Sequence, residues 1–308
     1  MNEPAQLPAE TNRPGPLGAA ARRVAGLGLN LVGNLVKWCS VLARPPRERT
    51  PAVPESAIVA VLLALAVCVA SMFFVDRAAT DWALHLPQDF KDTFDQISNA
   101  GESGWFLIPF GCIVLILAAL TAPELPRLTQ GVLGALAARF GFLFLAIGVP
   151  SLFDTIVKRL IGRARPYVDI DGSPFTYMPF AWRSEYASLP SGHATTAGAA
   201  AFAIGAIWPR SRPVVWLYAL IVVFSRVVVM AHHPSDVIAG LVVGAVGAAW
   251  LRRLFAARRL VFSPRDLAVY PGPSLRRTGT ALRDALCRQG DRPQTLAGGP
   301  IEPGRDAL

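Results

Sequence analysis

The sequence predicts an all-α integral membrane protein, a six-transmembrane-helix bundle with disordered or interfacial cytoplasmic tails. Three observations carry this expectation. Of 308 residues, 53% are apolar and 17% charged, with a mean hydropathy of +0.40, too oily and too poor in charge for an ordinary soluble domain. The apolar residues come in uninterrupted blocks near the roughly 20 helical residues needed to cross a hydrocarbon core about 30 Å thick. The 26 glycines and 26 prolines are scattered without period, which excludes collagen-like repetition, and the apolar blocks exclude disorder throughout.

Residues 1–56 read as a basic cytoplasmic tail. Within it, Leu31, Val32, Leu35, Val36 and Trp38 fall near helical spacing, so the stretch 27–42 is expected as an interfacial helix on the inner leaflet. No signal peptide is expected, because the first strongly apolar run begins after residue 56. Six spans follow, at 57–75, 105–122, 138–157, 190–208, 213–231 and 234–251. The last three open with a proline, which a helix tolerates in its first turn because the missing N–H had no partner there. Residues 252–308 read as a basic, disordered cytoplasmic tail.

Charge sets the orientation. Between residues 76 and 104 there are six acidic and two basic residues, whereas eleven arginines and five acids follow Leu251. The positive-inside rule then places both termini in the cytoplasm. The loop 158–189 breaks the rule. It faces outward yet carries Lys158, Arg159, Arg163, Arg165 and Arg183, and cations held against the bias are expected to bind something anionic. The net charge of +9 lies at span ends and in tails, with no basic face interleaved with aromatics, so nucleic acid is not an expected partner. Cys39, Cys68, Cys112 and Cys287 are far apart, with neither a disulfide framework nor metal-ligand spacing.

Three helix ends hold the chemistry, and this topology puts all three on the outer side. Span three leads into Lys158 and, seven residues on, Arg165-Pro166. Span four opens with Pro190-Ser191-Gly192-His193. Span five ends in Ser225-Arg226, followed by His232-His233-Pro234-Ser235-Asp236. The pattern K-x6-R-P, P-S-G-H, S-R-x5-H-x3-D resembles the signature of the type-2 phosphatidic acid phosphatase superfamily, integral membrane lipid phosphatases that share their active site with soluble vanadium haloperoxidases. The resemblance covers residues 57–251 and neither tail. It implies that His232 is the nucleophile, forming a phosphohistidine, and that His193 is the proton donor to the leaving group.

The residue types fit that chemistry on their own terms. A phosphoryl group in transit carries charge on three peripheral oxygens that need fixed donors around them. Lys158, Arg165 and Arg226 supply a point charge and two planar forks. The amides around Ser191 and Gly192 open a helix, where unpaired N–H groups favour an anion, and the Ser191 hydroxyl is a further donor. Asp236, four residues after His232, is expected to accept from its Nδ1 and free Nε2 for attack. His233 is a rival nucleophile, three residues from Asp236 rather than four. Arg159 and Arg163 lie off the signature and read as loop or headgroup contacts. Asp154, one turn before Lys158, reads as the partner of a nearby cation, and Gly240, Gly244 and Gly247 as sites of close helix packing.

The expected activity is metal-independent removal of phosphate from a lipid phosphate or pyrophosphate at the outer membrane face, without a cofactor. Neither a carboxylate cluster nor a His-x-x-x-His pair points to an intrinsic metal. Within the superfamily the candidate substrates are phosphatidylglycerophosphate, phosphatidate, undecaprenyl pyrophosphate and lipid A phosphate. A lipid phosphotransferase using the same intermediate and a non-catalytic lipid-binding membrane protein stand as alternatives. An excess of 27 arginines over three lysines and no Asn-x-Ser/Thr site favour a bacterial inner membrane with a periplasmic site.

Overall fold

The apolar blocks fold as helices. The computed structural model describes residues 16–168 and 173–288. The helices are α1 (Pro16–Ala43), α2 (Glu55–Phe74), α3 (Asp76–Leu84), α4 (Gln88–Asn99), α5 (Gly104–Leu120), α6 (Arg127–Ile161), α7 (Gly192–Ile207), α8 (Arg212–Val228), α9 (Pro234–Ala257) and α10 (Leu275–Arg288). Among the described residues, β pairing is limited to two isolated bridges, Arg163 with Tyr177 and Phe262 with Val269.

Among the described residues, six helical stretches are by length and composition able to cross a membrane: Ala20–Ala43, Glu55–Phe74, Gln88–Leu120 (α4 and α5 together), Arg127–Ile161, Pro209–Val228 and Pro234–Ala257. The number matches the expectation, although by length and composition α1 rather than α7 supplies the sixth. α7, expected as a full span, has 16 residues, about 24 Å at 1.5 Å per residue. It packs against α6, α8 and α9, and Ala194, Ala197, Ala199, Ala201 and Ala203 on it are fully buried. The stretch 27–42, expected to lie on the inner leaflet, belongs to a 28-residue helix with the length and composition of a span. Asn34 of α1 donates to the carbonyls of Ala118 at 2.9 Å and Thr121 at 2.7 Å. Those carbonyls close α5 and lack partners within it. α1 thereby caps α5 at the end of the bundle where α9 also finishes.

The tightest seam runs between α7 and α9, where side chains are nearly absent. A Cβ on Gly244 would stand 2.1 Å from the Thr195 carbonyl oxygen, one on Gly240 2.4 Å from that of Ser191, and one on Gly198 2.6 Å from that of Leu241. On α6, the ring Cγ of Pro150 would lie 2.5 Å from a Cβ on Gly247. These contacts place the start of α7 directly against the start of α9.

The expectation of a disordered tail needs correction over its described part. Val261 and Phe262 are fully buried, with the Phe262 ring 4.8 Å from that of Phe142. α10 sets Ala281 and Ala285 into a cluster with Leu117, Val132 and Leu133, and Thr129 Oγ1 donates to Asp284 Oδ2 at 3.2 Å. Two alanines four residues apart make an apolar stripe too narrow to stand out in an arginine-rich composition. The rest of both predicted tails, residues 1–15 and 289–308, lies outside the described residues.

Candidate active site

All the signature residues meet at one end of the bundle. α6 delivers Lys158 in its last turn and stops at Gly162, whose φ of +66° only glycine adopts at little cost. A Cβ there would also lie 1.8 Å from the Met178 carbonyl oxygen. The chain then carries Arg163 and Arg165 back across the bundle. α7 opens with Gly192 and His193, α8 finishes just after Arg226, and α9 begins beyond His232 and His233.

His232 is buried, and its Nδ1 lies 2.8 Å from the Ser188 carbonyl oxygen. A carbonyl only accepts, so Nδ1 carries the proton and Nε2 holds the lone pair. This corrects the expectation that Asp236 accepts from that nitrogen. The nearest Asp236 oxygen stands 3.9 Å away, beyond hydrogen-bond reach. It is engaged elsewhere, by Ser188 Oγ at 2.5 Å and the His233 amide at 2.9 Å. Burial, followed by Arg165, Arg226, His193 and Lys158, holds the His232 imidazole well below its ordinary pKa. It is therefore a neutral base amid cations. His233, the rival nucleophile, is turned away, with its Nδ1 3.4 Å from Thr80 Oγ1.

The cation set is built with donors to spare. Lys158 Nζ pairs with Asp154 Oδ2 at 2.8 Å, as the sequence leads one to expect. It also reaches over the α7 N-terminus, since a Cβ on Gly192 would stand 2.9 Å from it. Arg226 is 8% exposed and donates through Nη1 to Ser98 Oγ. Among the described residues, the Nε atoms of Arg165 and Arg226 and the Ser191 hydroxyl are buried without a hydrogen-bond partner. Buried polar groups are seldom left so, and two guanidiniums and a hydroxyl are the donor set a phosphoryl group requires. The Ser191 amide differs from expectation, being taken by the Asp236 carbonyl at 3.0 Å, which leaves anion contact to the amides that follow it.

Sequence reasoning missed the support beneath these groups. Arg163, read as a loop or headgroup contact, has no exposed surface. It bridges Asp236 Oδ1 at 2.5 Å and Asp76 Oδ2 at 2.8 Å, and its Nε donates to the Pro174 carbonyl at 2.9 Å. Burial works against its charge, but Asp236 and Asp76 outweigh it and raise the guanidinium above its ordinary range. Asp76 Oδ1 also accepts from the Ser235 amide at 2.9 Å, so the start of α3 is bolted to the start of α9. The signal for Arg163 was its place between two signature residues. Asp76 had none, because it is 160 positions from Asp236 and looks like one more acid in an acidic loop.

Beside His193 lies a cavity of about 290 Å³, lined also by Lys158 and Gly192 and by the polar side chains of Glu102, Ser103, Ser151, Asp154, Thr155 and Thr196. It lies where the start of α5, the end of α6 and the start of α7 meet.

The chain is similar in sequence to known proteins. A model of the PAP2 superfamily matches residues 139–260, which contain every signature residue. A lipid A 1-phosphatase of Rhizobium johnstonii is 31% identical over 227 residues, covering 73% of this chain and 91% of that protein. A decaprenylphosphoryl-5-phosphoribose phosphatase of Mycobacterium tuberculosis is 34% identical over 160 residues, covering 49% of this chain and 73% of the relative. Among solved structures, a transmembrane PAP2 type phosphatidylglycerolphosphate phosphatase from Bacillus subtilis matches at 20% identity and a TM-score of 0.45, over 63% of this chain and 93% of that one. With the signature in place and a relative aligned along nearly its whole length, the chain belongs to the PAP2 superfamily.

Proposed function

We propose that this membrane phosphatase removes phosphate from a lipid phosphate at the outer, periplasmic face of a bacterial inner membrane, with the 1-phosphate of lipid A as its first candidate substrate. The observation that carries the reading is the buried, unpartnered donor set of Arg165, Arg226 and Ser191 beside a neutral His232. Those donors hold the phosphoryl oxygens while His232 Nε2 bonds to phosphorus and the ester P–O bond breaks. His193 gives its proton to the leaving oxygen. Water then attacks the phosphohistidine, His193 takes a proton from it, the N–P bond breaks, and inorganic phosphate leaves. No step needs a metal, because Lys158 and the two arginines supply the positive charge.

The choice of lipid A rests on the relative of that name, which aligns over 91% of its length. The outward face rests on the acidic helices α3 and α4 at the site end and on the arginines that follow α9 at the other. The test is release of inorganic phosphate by purified protein in detergent, in EDTA, from lipid A 1-phosphate, phosphatidylglycerophosphate, phosphatidate and undecaprenyl pyrophosphate. Lipid A phosphate is expected to be the best substrate, and His232→Ala to abolish release and the acid-labile phosphoenzyme. A preference for another lipid would overturn the substrate, transfer to a second lipid without free phosphate would overturn the hydrolase, and full activity in His232→Ala would overturn the mechanism.

A further inference from the structure

Two of the five cations in the outward loop are not absorbed by the site. Lys158 pairs with Asp154, Arg163 with Asp76 and Asp236, and Arg165 points a free donor inward. Arg159 and Arg183 remain, joined by one hydrogen bond from Arg159 Nη1 to the Arg183 carbonyl at 3.0 Å. No carboxylate of the described residues forms an ion pair with either.

The surface around them is apolar in a way a water-facing loop has no reason to be. On α6, Leu152, Ile156 and Leu160 follow one another at four-residue spacing and are 63%, 53% and 48% exposed, with Phe153 beside them at 54%. This is the lipid-facing stripe of a spanning helix. It does not stop where α6 stops. The Phe180 amide donates to the Leu160 carbonyl, setting Phe180, 71% exposed, at the end of the stripe, and Trp182 follows at 83%. Phe180 is held at a φ of +61°, a conformation that a bulky residue seldom adopts. Aromatic side chains at the end of a span, flanked by arginines, are the composition of a bilayer interface, where rings sit at headgroup depth and guanidiniums meet phosphates.

We propose that the loop segment from Phe180 to Arg183 is an interfacial foot, which rests on the leaflet beside the active site, buries Phe180 and Trp182 at headgroup depth, and grips anionic lipid phosphates through Arg159 and Arg183. The occupant is the bilayer surface itself, argued from continuity with the α6 stripe and from charge. The foot fixes the depth of the membrane against Lys158, one residue before Arg159, so a phosphate arriving along the leaflet meets the site at its own level.

The test uses the full chain in nanodiscs. The emission of Trp182 is isolated as the difference between the protein and Trp182→Phe, and its quenching is compared between lipids brominated near the headgroup and lipids brominated near the chain end. Quenching several-fold stronger from the shallow bromines is expected. With Arg159→Gln and Arg183→Gln combined, the dependence of that quenching on anionic lipid content is expected to vanish. In Phe180→Ala combined with Trp182→Ala, turnover of a substrate embedded in the bilayer should fall several-fold while turnover of a short-chain soluble phosphate is retained. Trp182 emission quenched by aqueous iodide and untouched by brominated lipid would overturn the foot, and quenching indifferent to lipid charge in the unaltered protein would overturn its arginine grip.

Discussion

His232 Nδ1 sits 2.8 Å from the carbonyl oxygen of Ser188 and 3.9 Å from the nearest oxygen of Asp236. A backbone group, which no substitution deletes, fixes the tautomer of the proposed nucleophile. Asp236 acts one step removed, by holding Ser188 Oγ, the His233 amide and Arg163. Asp236→Asn should therefore keep His232 protonated at Nδ1. Nitrogen-15 spectra of histidine-labelled protein check this, and a switch to the Nε2–H tautomer would show that the carboxylate orients the ring after all.

The same spectra report charge. An ordinary histidine is half protonated near pH 6.5, but burial and the surrounding cations lower His232 well below that. A lowered value means the neutral, attack-competent form persists as pH falls through 6.5 and is lost only at more acid pH. On acidification through pH 6.5 the His232 signals should therefore remain those of the neutral ring. The measurement is made by NMR because a phosphomonoester itself titrates near pH 6, which obscures a rate profile.

Arg165 and Arg226 are each expected to fail as lysine. Lysine keeps the charge and loses the planar fork, and the orphaned donor in each is an Nε–H. Removing one such donor typically costs about 10²–10³ in kcat. Arg226→Lys should show a loss of that order in phosphate release, with a parallel weakening of inhibition by vanadate, which mimics the pentavalent state. Inhibition by vanadate that is unchanged in the variant would remove Arg226 from the phosphate site.

Arg163 and Asp76 should be coupled. Arg163→Met strands two buried carboxylates, and breaking a buried pair costs about 3–5 kcal/mol. Adding Asp76→Asn removes one stranded charge and should restore part of the loss. A double-mutant cycle of denaturant unfolding in detergent measures this, and strictly additive effects would mean that the 2.8 Å contact carries no energy.

The sequence made the chemistry more legible than its support. Lys158, Arg165, His193, Arg226 and His232 were readable because the acts proposed for them demand particular side chains at particular helix ends, and such demands leave a spacing in the chain. Ser188 contributes through its backbone carbonyl, so its side-chain identity announces nothing of that contact. Asp76 and Arg163 matter only as a pair 87 positions apart, a relation that exists once the bundle has formed. The spans show the same division. Lipid-facing helices declare themselves by hydropathy, whereas α7, lined by other helices, is written in alanine and glycine and is 16 residues long. α10 was hidden for a different reason, since Ala281, Leu282, Ala285 and one hydrogen bond to Asp284 seat a helix that is otherwise arginine-rich.

The glycine seam has a mechanical meaning. Where two backbones already touch, as at Gly244 and Thr195, nothing compressible remains between them. The path of packed backbone from His193 at the start of α7 to His232 before α9 therefore behaves as a ruler of constant length. A fatty chain wedged among the outer helices can push those apart and leave the ruler unbent.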